Sequence, residues 1–113
     1  MTVIWHNPRC SKSRQTLALL EAQGHRPKIR LYLQDPPTEA ELRAALKALG
    51  RPAIDLVRIK DTAFRDLDLA PDTPEDDLIA AMSTHPAIIE RPLVLSGGKA
   101  ALGRPPEAVL ALF

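Results

Sequence analysis

Residues 2–33 constrain the fold more than any other stretch of this chain. Thr2-Val3-Ile4-Trp5 is a short apolar run that reads as a buried strand. From Ser11, Leu17 and Leu20 with the small Ala18 and Ala22 follow helical spacing up to a stop at Gly24. Ile29-Arg30-Leu31-Tyr32-Leu33 then alternates as a second strand, broken by Asp35-Pro36-Pro37. A strand–helix–strand opening of this kind commits the chain to an α/β sheet with helices on its faces.

The rest of the chain must complete that sheet. Thr38 with Glu41 three residues on forms a capping box, opening a helix with the stripe Leu42, Leu46 and Leu49 that closes at Gly50. Ile54, Leu56, Val57, Phe64, Leu67 and Leu69 read as one or two short helices within 53–70. Thr73-Pro74-Glu75-Asp76 predicts a further helix with a hydroxyl cap, proline at its first position and acids in its first turn. Its apolar face is Leu78, Ile79 and Met82, and His85-Pro86 ends it. Pro92-Leu93-Val94-Leu95, Gly97-Gly98 and Lys99-Ala100-Ala101-Leu102 spell a hairpin, and Val109, Leu110 and Leu112 a final short helix. The expected fold class is α/β: a small four-stranded mixed sheet, with a helical insertion between the βαβ unit and a C-terminal ββα unit. No linker or repeat interrupts residues 1–113, so a single domain is expected.

The turn after the first strand carries the chemistry. The only cysteine lies in His6-Asn7-Pro8-Arg9-Cys10-Ser11-Lys12-Ser13-Arg14. A lone cysteine is commonly a small buried hydrophobe, but these flanks are polar and cationic. At a strand-to-helix turn, unpaired backbone N–H groups and the positive end of the helix dipole favour thiolate over thiol. The same geometry welcomes an oxyanion. Cys10 is therefore the candidate nucleophile, and open α/β sheets bind ligands at this end of their strands.

Composition removes other classes. One cysteine excludes an internal disulfide framework and suits a reducing compartment, so a cytoplasmic location is expected. No run approaches the roughly 20 apolar residues that span a bilayer, and no signal-peptide pattern opens the chain. With 15 basic and 14 acidic residues the net charge is +1, so no global field points to nucleic acid or membrane. Aromatics are 4% of the chain and no basic stripe accompanies them, so Trp5, Tyr32 and Phe64 are expected in the core. His6 and Cys10 lack the further ligands of a zinc site.

Four motifs occur in one order: His6-Asn7-Pro8-x-Cys10-x-x-Ser13-Arg14, Val57-Arg58, Glu90-Arg91-Pro92-Leu93-Val94 and Gly103-Arg104-Pro105. In this the chain resembles the ArsC-type, glutaredoxin-linked arsenate reductases, over nearly its whole length. The resemblance implies a thioredoxin-like fold, a cis Arg91–Pro92 peptide facing the cysteine, and reduction of arsenate to arsenite. It further implies glutathione as external reductant, glutaredoxin as partner, no bound cofactor and no metal. Carried over by position, Cys10 is the nucleophile and His6 supports its thiolate. Arg58, Arg91 and Arg104 bind the oxyanion, and Ser13 and Arg14 belong to the anion loop. Arg9, Ser11 and Lys12 depart from the small or uncharged residues usual around that cysteine and place the chain nearer a shorter branch.

The arginines support the resemblance unequally. Arg91 and Arg104 each precede a proline beside an apolar element, where a fixed backbone can aim a guanidinium fork at an oxyanion. Leu56-Val57-Arg58-Ile59 would also suit an ordinary helix surface. A monomer is expected. Two alternatives stand beside the reductase: a thiol oxidoreductase with another substrate, and a non-enzymatic regulator resembling Spx that binds RNA polymerase. Spx proteins normally use Cys-x-x-Cys as a redox switch, and position 13 here is serine.

Overall fold

The computed structural model describes residues 1–113, which divide into two compact units. The first comprises Met1–Asp35 and Arg91–Phe113; the second is Pro36–Glu90. The helical insertion expected from sequence is thus the second unit.

In the first unit, strand β1 (Thr2–Trp5) leads through helix α1 (Ser11–Ala22) to strand β2 (Lys28–Arg30). Strands β3 (Leu93–Ser96) and β4 (Lys99–Leu102) complete a sheet of order β2-β1-β3-β4. β1 runs parallel to β2 and antiparallel to β3, and β4 pairs antiparallel with β3. The register sets Ile4 opposite Ile29 on one side and Val94 on the other. The turn between β3 and β4 is Gly97-Gly98, with φ of 58° and 79°. Left-handed backbone at both central residues is what a two-residue hairpin needs, and only glycine adopts it there without cost.

Ile4, Leu20, Val94 and Val109 form the buried core of this unit, with Leu17, Ala101 and Leu112 packed against it. Complete burial of side chains of this size stabilises by about 1.5–3 kcal/mol each. The last element is a 3₁₀ helix over Pro106–Leu112, lying against α1 and β4 with Val109 inward.

The second strand is shorter than the sequence predicts. Pairing stops at Arg30. The Leu31 carbonyl then accepts from the N–H groups of both Gln34 and Asp35, each at 2.9 Å, folding the chain into a turn. Tyr32 is fully buried while Leu31 and Leu33 are exposed, so the alternation Ile29–Leu33 continues through a turn that carries no ladder.

In the second unit, helix α2 (Glu39–Leu49) opens with the expected reciprocal cap. Thr38 Oγ1 accepts from Glu41 N at 3.1 Å and Glu41 Oε1 accepts from Thr38 N at 3.0 Å. A 3₁₀ turn (Ala53–Leu56) and helix α3 (Thr62–Asp66) fill the predicted helical stretch, followed by helix α4 (Glu75–Thr84) and a 3₁₀ turn (Pro86–Ile88). The start of α4 differs from expectation. Thr73 Oγ1 accepts from Ala70 N at 2.8 Å in the preceding loop, and Pro74 is the cap rather than the first helical residue. The helix start is served instead by Glu75, Asp76 and Asp77 against the dipole. Leu42, Leu46, Leu78, Ile79 and Met82 are buried where α2 meets α4. No helix of the chain is long and apolar enough to cross a membrane.

Candidate active site

The loop from β1 into α1 is fixed almost entirely by its own backbone. His6 N–H donates to the Arg30 carbonyl at 2.8 Å, extending the sheet one step past Trp5. Asn7 then organises the turn. Its carbonyl accepts Cys10 N–H at 3.0 Å, and its Oδ1 accepts Arg9 N–H, also at 3.0 Å. Cys10 is the N-cap of α1, with extended backbone (φ −94°, ψ 123°), and its carbonyl accepts Arg14 N–H at 3.0 Å.

A serine or aspartate at an N-cap places its oxygen over the second and third amides of the helix. Here a sulfur occupies that place. Cys10 makes no regular capping hydrogen bond, yet the N–H groups of Ser13 and Lys12 favour its anion, and the first turn of α1 contains no acid to oppose it.

Half-burial of Cys10 alone pushes its thiol pKa up. Ser13 N–H, the hydrogen bond and positive charge of the Arg91 guanidinium, and Lys12 N–H outweigh that, leaving the pKa below the ordinary thiol value.

Two of the expected arginines converge on this sulfur. Arg91 precedes β3 through a cis peptide to Pro92, as the resemblance implies, and its buried Nε has no hydrogen-bond partner in the protein. Arg104 Nε donates to the Arg91 carbonyl at 2.8 Å, and its Nη2 lies 3.9 Å from Cys10 Sγ, a long and weaker contact. Arg104–Pro105 is also cis. Gly103 makes the approach possible: its N–H donates to the Pro92 carbonyl at 2.9 Å, and a Cβ there would lie 2.7 Å from Pro92 Cγ and against Thr16 Oγ1.

The other predicted residues hold the loop. Ser13 is fully buried; its Oγ accepts Asn7 N–H at 3.0 Å and shares a 2.6 Å hydrogen bond with His6 Nδ1. Burial, with the nearby positive charge of Arg14, lowers the His6 pKa, so the ring is neutral at neutral pH. His6 therefore contributes no positive charge, and it contacts the loop through Ser13. Arg14 Nη1 donates to the Pro8 carbonyl at 2.8 Å.

Arg58 belongs to the second unit. Its Nη1 donates to Asp61 Oδ2 at 3.0 Å and its Nε lies 3.8 Å from Glu90 Oε1. Arg9 and Lys12 are exposed. No group of three or more His, Cys, Asp or Glu side chains is arranged to hold a metal ion.

Sequence reasoning missed Asn7, Thr16 and Gly103 as parts of the site. The Asn7-Pro8 pair was a visible turn signal. Nothing local marks Thr16, whose role depends on Gly103 arriving from the far end of the chain.

The arrangement is a thiol of lowered pKa beside guanidinium and amide donors, which could attack an electrophile whose charge those donors offset. The ArsC family model matches residues 5–112. An arsenate reductase of Haemophilus influenzae is 47% identical over 113 residues, covering 98% of this chain and 97% of that protein. An uncharacterised Escherichia coli protein, YfgD, is 49% identical over 96% of this chain and 93% of its own length. The solved structure of an arsenate reductase from Vibrio cholerae superposes with a TM-score of 0.95 at 45% identity, covering 99% of this chain and 97% of that one. The fold is thioredoxin-like.

Proposed function

The chain belongs to the ArsC family, and from that premise we propose that it reduces arsenate to arsenite through Cys10, with glutathione and glutaredoxin supplying electrons in a reducing, cytoplasmic setting. The observation that carries this reading is the Cys10 sulfur set under the Ser13 and Lys12 amides, which with Arg91 lower its pKa, beside an Arg91 Nε that no protein group satisfies. A buried guanidinium N–H without an acceptor is costly, and an arsenate oxygen would satisfy it.

In the proposed cycle the Cys10 thiolate attacks arsenic(V), forming an S–As bond as one oxygen leaves, protonated, as water. Arg91 and Arg104 offset charge on the remaining oxygens. A glutathione thiolate then attacks Cys10 Sγ. The S–As bond breaks with its electron pair going to arsenic, which leaves as arsenite, and the two sulfurs are joined as a disulfide. Two thiolates are oxidised and arsenic gains two electrons. A glutaredoxin thiolate attacking the glutathione sulfur would release Cys10.

The test is arsenate-dependent NADPH oxidation coupled through glutathione reductase, glutathione and glutaredoxin. Turnover abolished by Cys10→Ser is expected, with one glutathione on Cys10 by mass spectrometry when glutaredoxin is omitted. Turnover no higher than in the Cys10→Ser control would overturn the arsenate reading. Regeneration by thioredoxin without glutathione would overturn the assignment of the reductant.

A further inference from the structure

Residues 6–14 contain three cations, Arg9, Lys12 and Arg14, and no acid. Arg14 is tied to the Pro8 carbonyl, and the anion beside the sulfur has Arg91 and Arg104. Arg9 and Lys12 are left over. Both side chains are exposed and neither makes a hydrogen bond or ion pair. Their backbones, in contrast, are fixed. Arg9 N–H is held by Asn7 Oδ1, and the Lys12 carbonyl accepts Thr16 Oγ1–H at 2.8 Å. Two uncompensated cations are thus mounted on a rigid loop, one residue before the nucleophile and two after it.

From this placement we infer that Arg9 and Lys12 are positioning residues for the second thiol, selecting a small peptide thiol that carries carboxylates over neutral or cationic thiols. The inference rests on the thiol chemistry proposed above and deepens it. The attacking species in the second step is a thiolate approaching Cys10 Sγ while that sulfur bears an anionic group. Like charges repel on that approach, and exposed cations beside the nucleophile in sequence reduce that repulsion. Glutathione brings two carboxylates and one ammonium besides its thiol, so its tail gives exposed cations an anion to hold. Because Arg9 and Lys12 lie in water, they act on approach and orientation rather than on the bonds exchanged.

The experiment needs no arsenic. The Cys10–thionitrobenzoate mixed disulfide of the full chain is treated with glutathione, 2-mercaptoethanol or cysteamine. Each thiolate attacks Cys10 Sγ, forms a new disulfide and expels coloured thionitrobenzoate, so rates per thiolate compare an anionic, a neutral and a cationic attacker directly. In the double variant Arg9→Gln/Lys12→Gln, the glutathione rate is expected to fall by about 3- to 10-fold. The 2-mercaptoethanol rate should stay within about twofold and the cysteamine rate should not fall. Added salt should slow glutathione in the unaltered protein and much less in the variant, and Arg9→Lys/Lys12→Arg should restore the rate.

Equal loss with all three thiols would overturn the inference, since it would place the effect on the sulfur or the loop. No loss with glutathione would overturn it as well. In the coupled arsenate assay the double variant should raise KM for glutathione and leave KM for arsenate unchanged. If the protein turned over no arsenate yet kept this ranking of thiols, the proposed substrate would fail and the selection of anionic thiols would stand.

Discussion

Replacing Arg91 with methionine removes the guanidinium that donates to Cys10 while keeping most of the side-chain bulk and leaving Pro92 in place. Burial pushes the thiol pKa up, and Arg91 supplies both a hydrogen bond and a charge against it. An opposite charge in contact with an ionisable group favours its charged form, so Arg91→Met should raise the Cys10 inflection. For an inflection above neutral pH, each unit of increase reduces the thiolate fraction at neutral pH about tenfold, while the more basic thiolate is intrinsically about threefold more reactive, leaving a net loss of about threefold per unit. Arg104 gives the comparison. A charge 3.9 Å from the sulfur is worth about 1 kcal/mol at the dielectric of water, and salt reduces this further for an exposed side chain. Arg104→Met should therefore move the inflection less than Arg91→Met does. The assay is the rate of iodoacetamide alkylation against pH for the three proteins. Inflections that coincide in the unaltered protein and Arg91→Met, or lie at the free-thiol value of about 8.5 in both, would refute the reasoning.

The lowered His6 pKa means that the folded state prefers the neutral ring, so unfolded chains bind the extra proton below about pH 6.5. Stability from this source is present above that pH and is lost as pH falls through the lower folded value; urea midpoints should show an acid-side decline that His6→Asn reduces. Gly103→Ala forces a Cβ into Pro92 and Thr16, which should cost about 1–3 kcal/mol by thermal unfolding and, by displacing Arg104, raise KM for arsenate more than it lowers Tm-corrected kcat. Arg58 shares its guanidinium with Asp61 and Glu90, so Arg58→Ala should raise KM for arsenate less than Arg104→Ala does; equal effects in steady-state kinetics would show that its charge is fully available to the anion.

Signals confined to a few neighbouring residues were readable from sequence, and those that depend on distant partners were not. Thr38 and Glu41 identify each other across one turn, and Gly97-Gly98 carries its own hairpin geometry. The thiolate turn is also local: sulfur, amides and the Asn7 carbonyl all lie within residues 7–13. The hydrogen bond of His6 to Ser13, seven residues on, is not disclosed by its spacing of four residues from Cys10. The end of β2 depends on capture of the Leu31 carbonyl by two amides further on, which apolar alternation cannot register. The Glu90 contact of Arg58 and the seating of Arg104 Nε on the Arg91 carbonyl join residues whose encounter is a product of the fold.

The use of sulfur as a helix cap has a consequence for both ends of the proposed cycle. Amides that favour the anion raise the thiolate fraction at a given pH, but a thiolate of lowered pKa is a weaker nucleophile per ion. Attack is then aided by the guanidinium groups, which lower the cost of charge on the electrophile rather than raising the reactivity of the sulfur. The compensation comes at release. In a mixed disulfide between Cys10 and glutathione, the sulfur of lower pKa is the better leaving group, so an incoming thiolate directed to the glutathione sulfur expels Cys10 already stabilised by Ser13 N–H and Arg91. With no second cysteine in the chain, an internal disulfide cannot form, and the proposed cycle draws its second thiol from outside. One cap position thus makes Cys10 ready to react and easy to release, a pairing suited to a cycle in which every other thiol is borrowed.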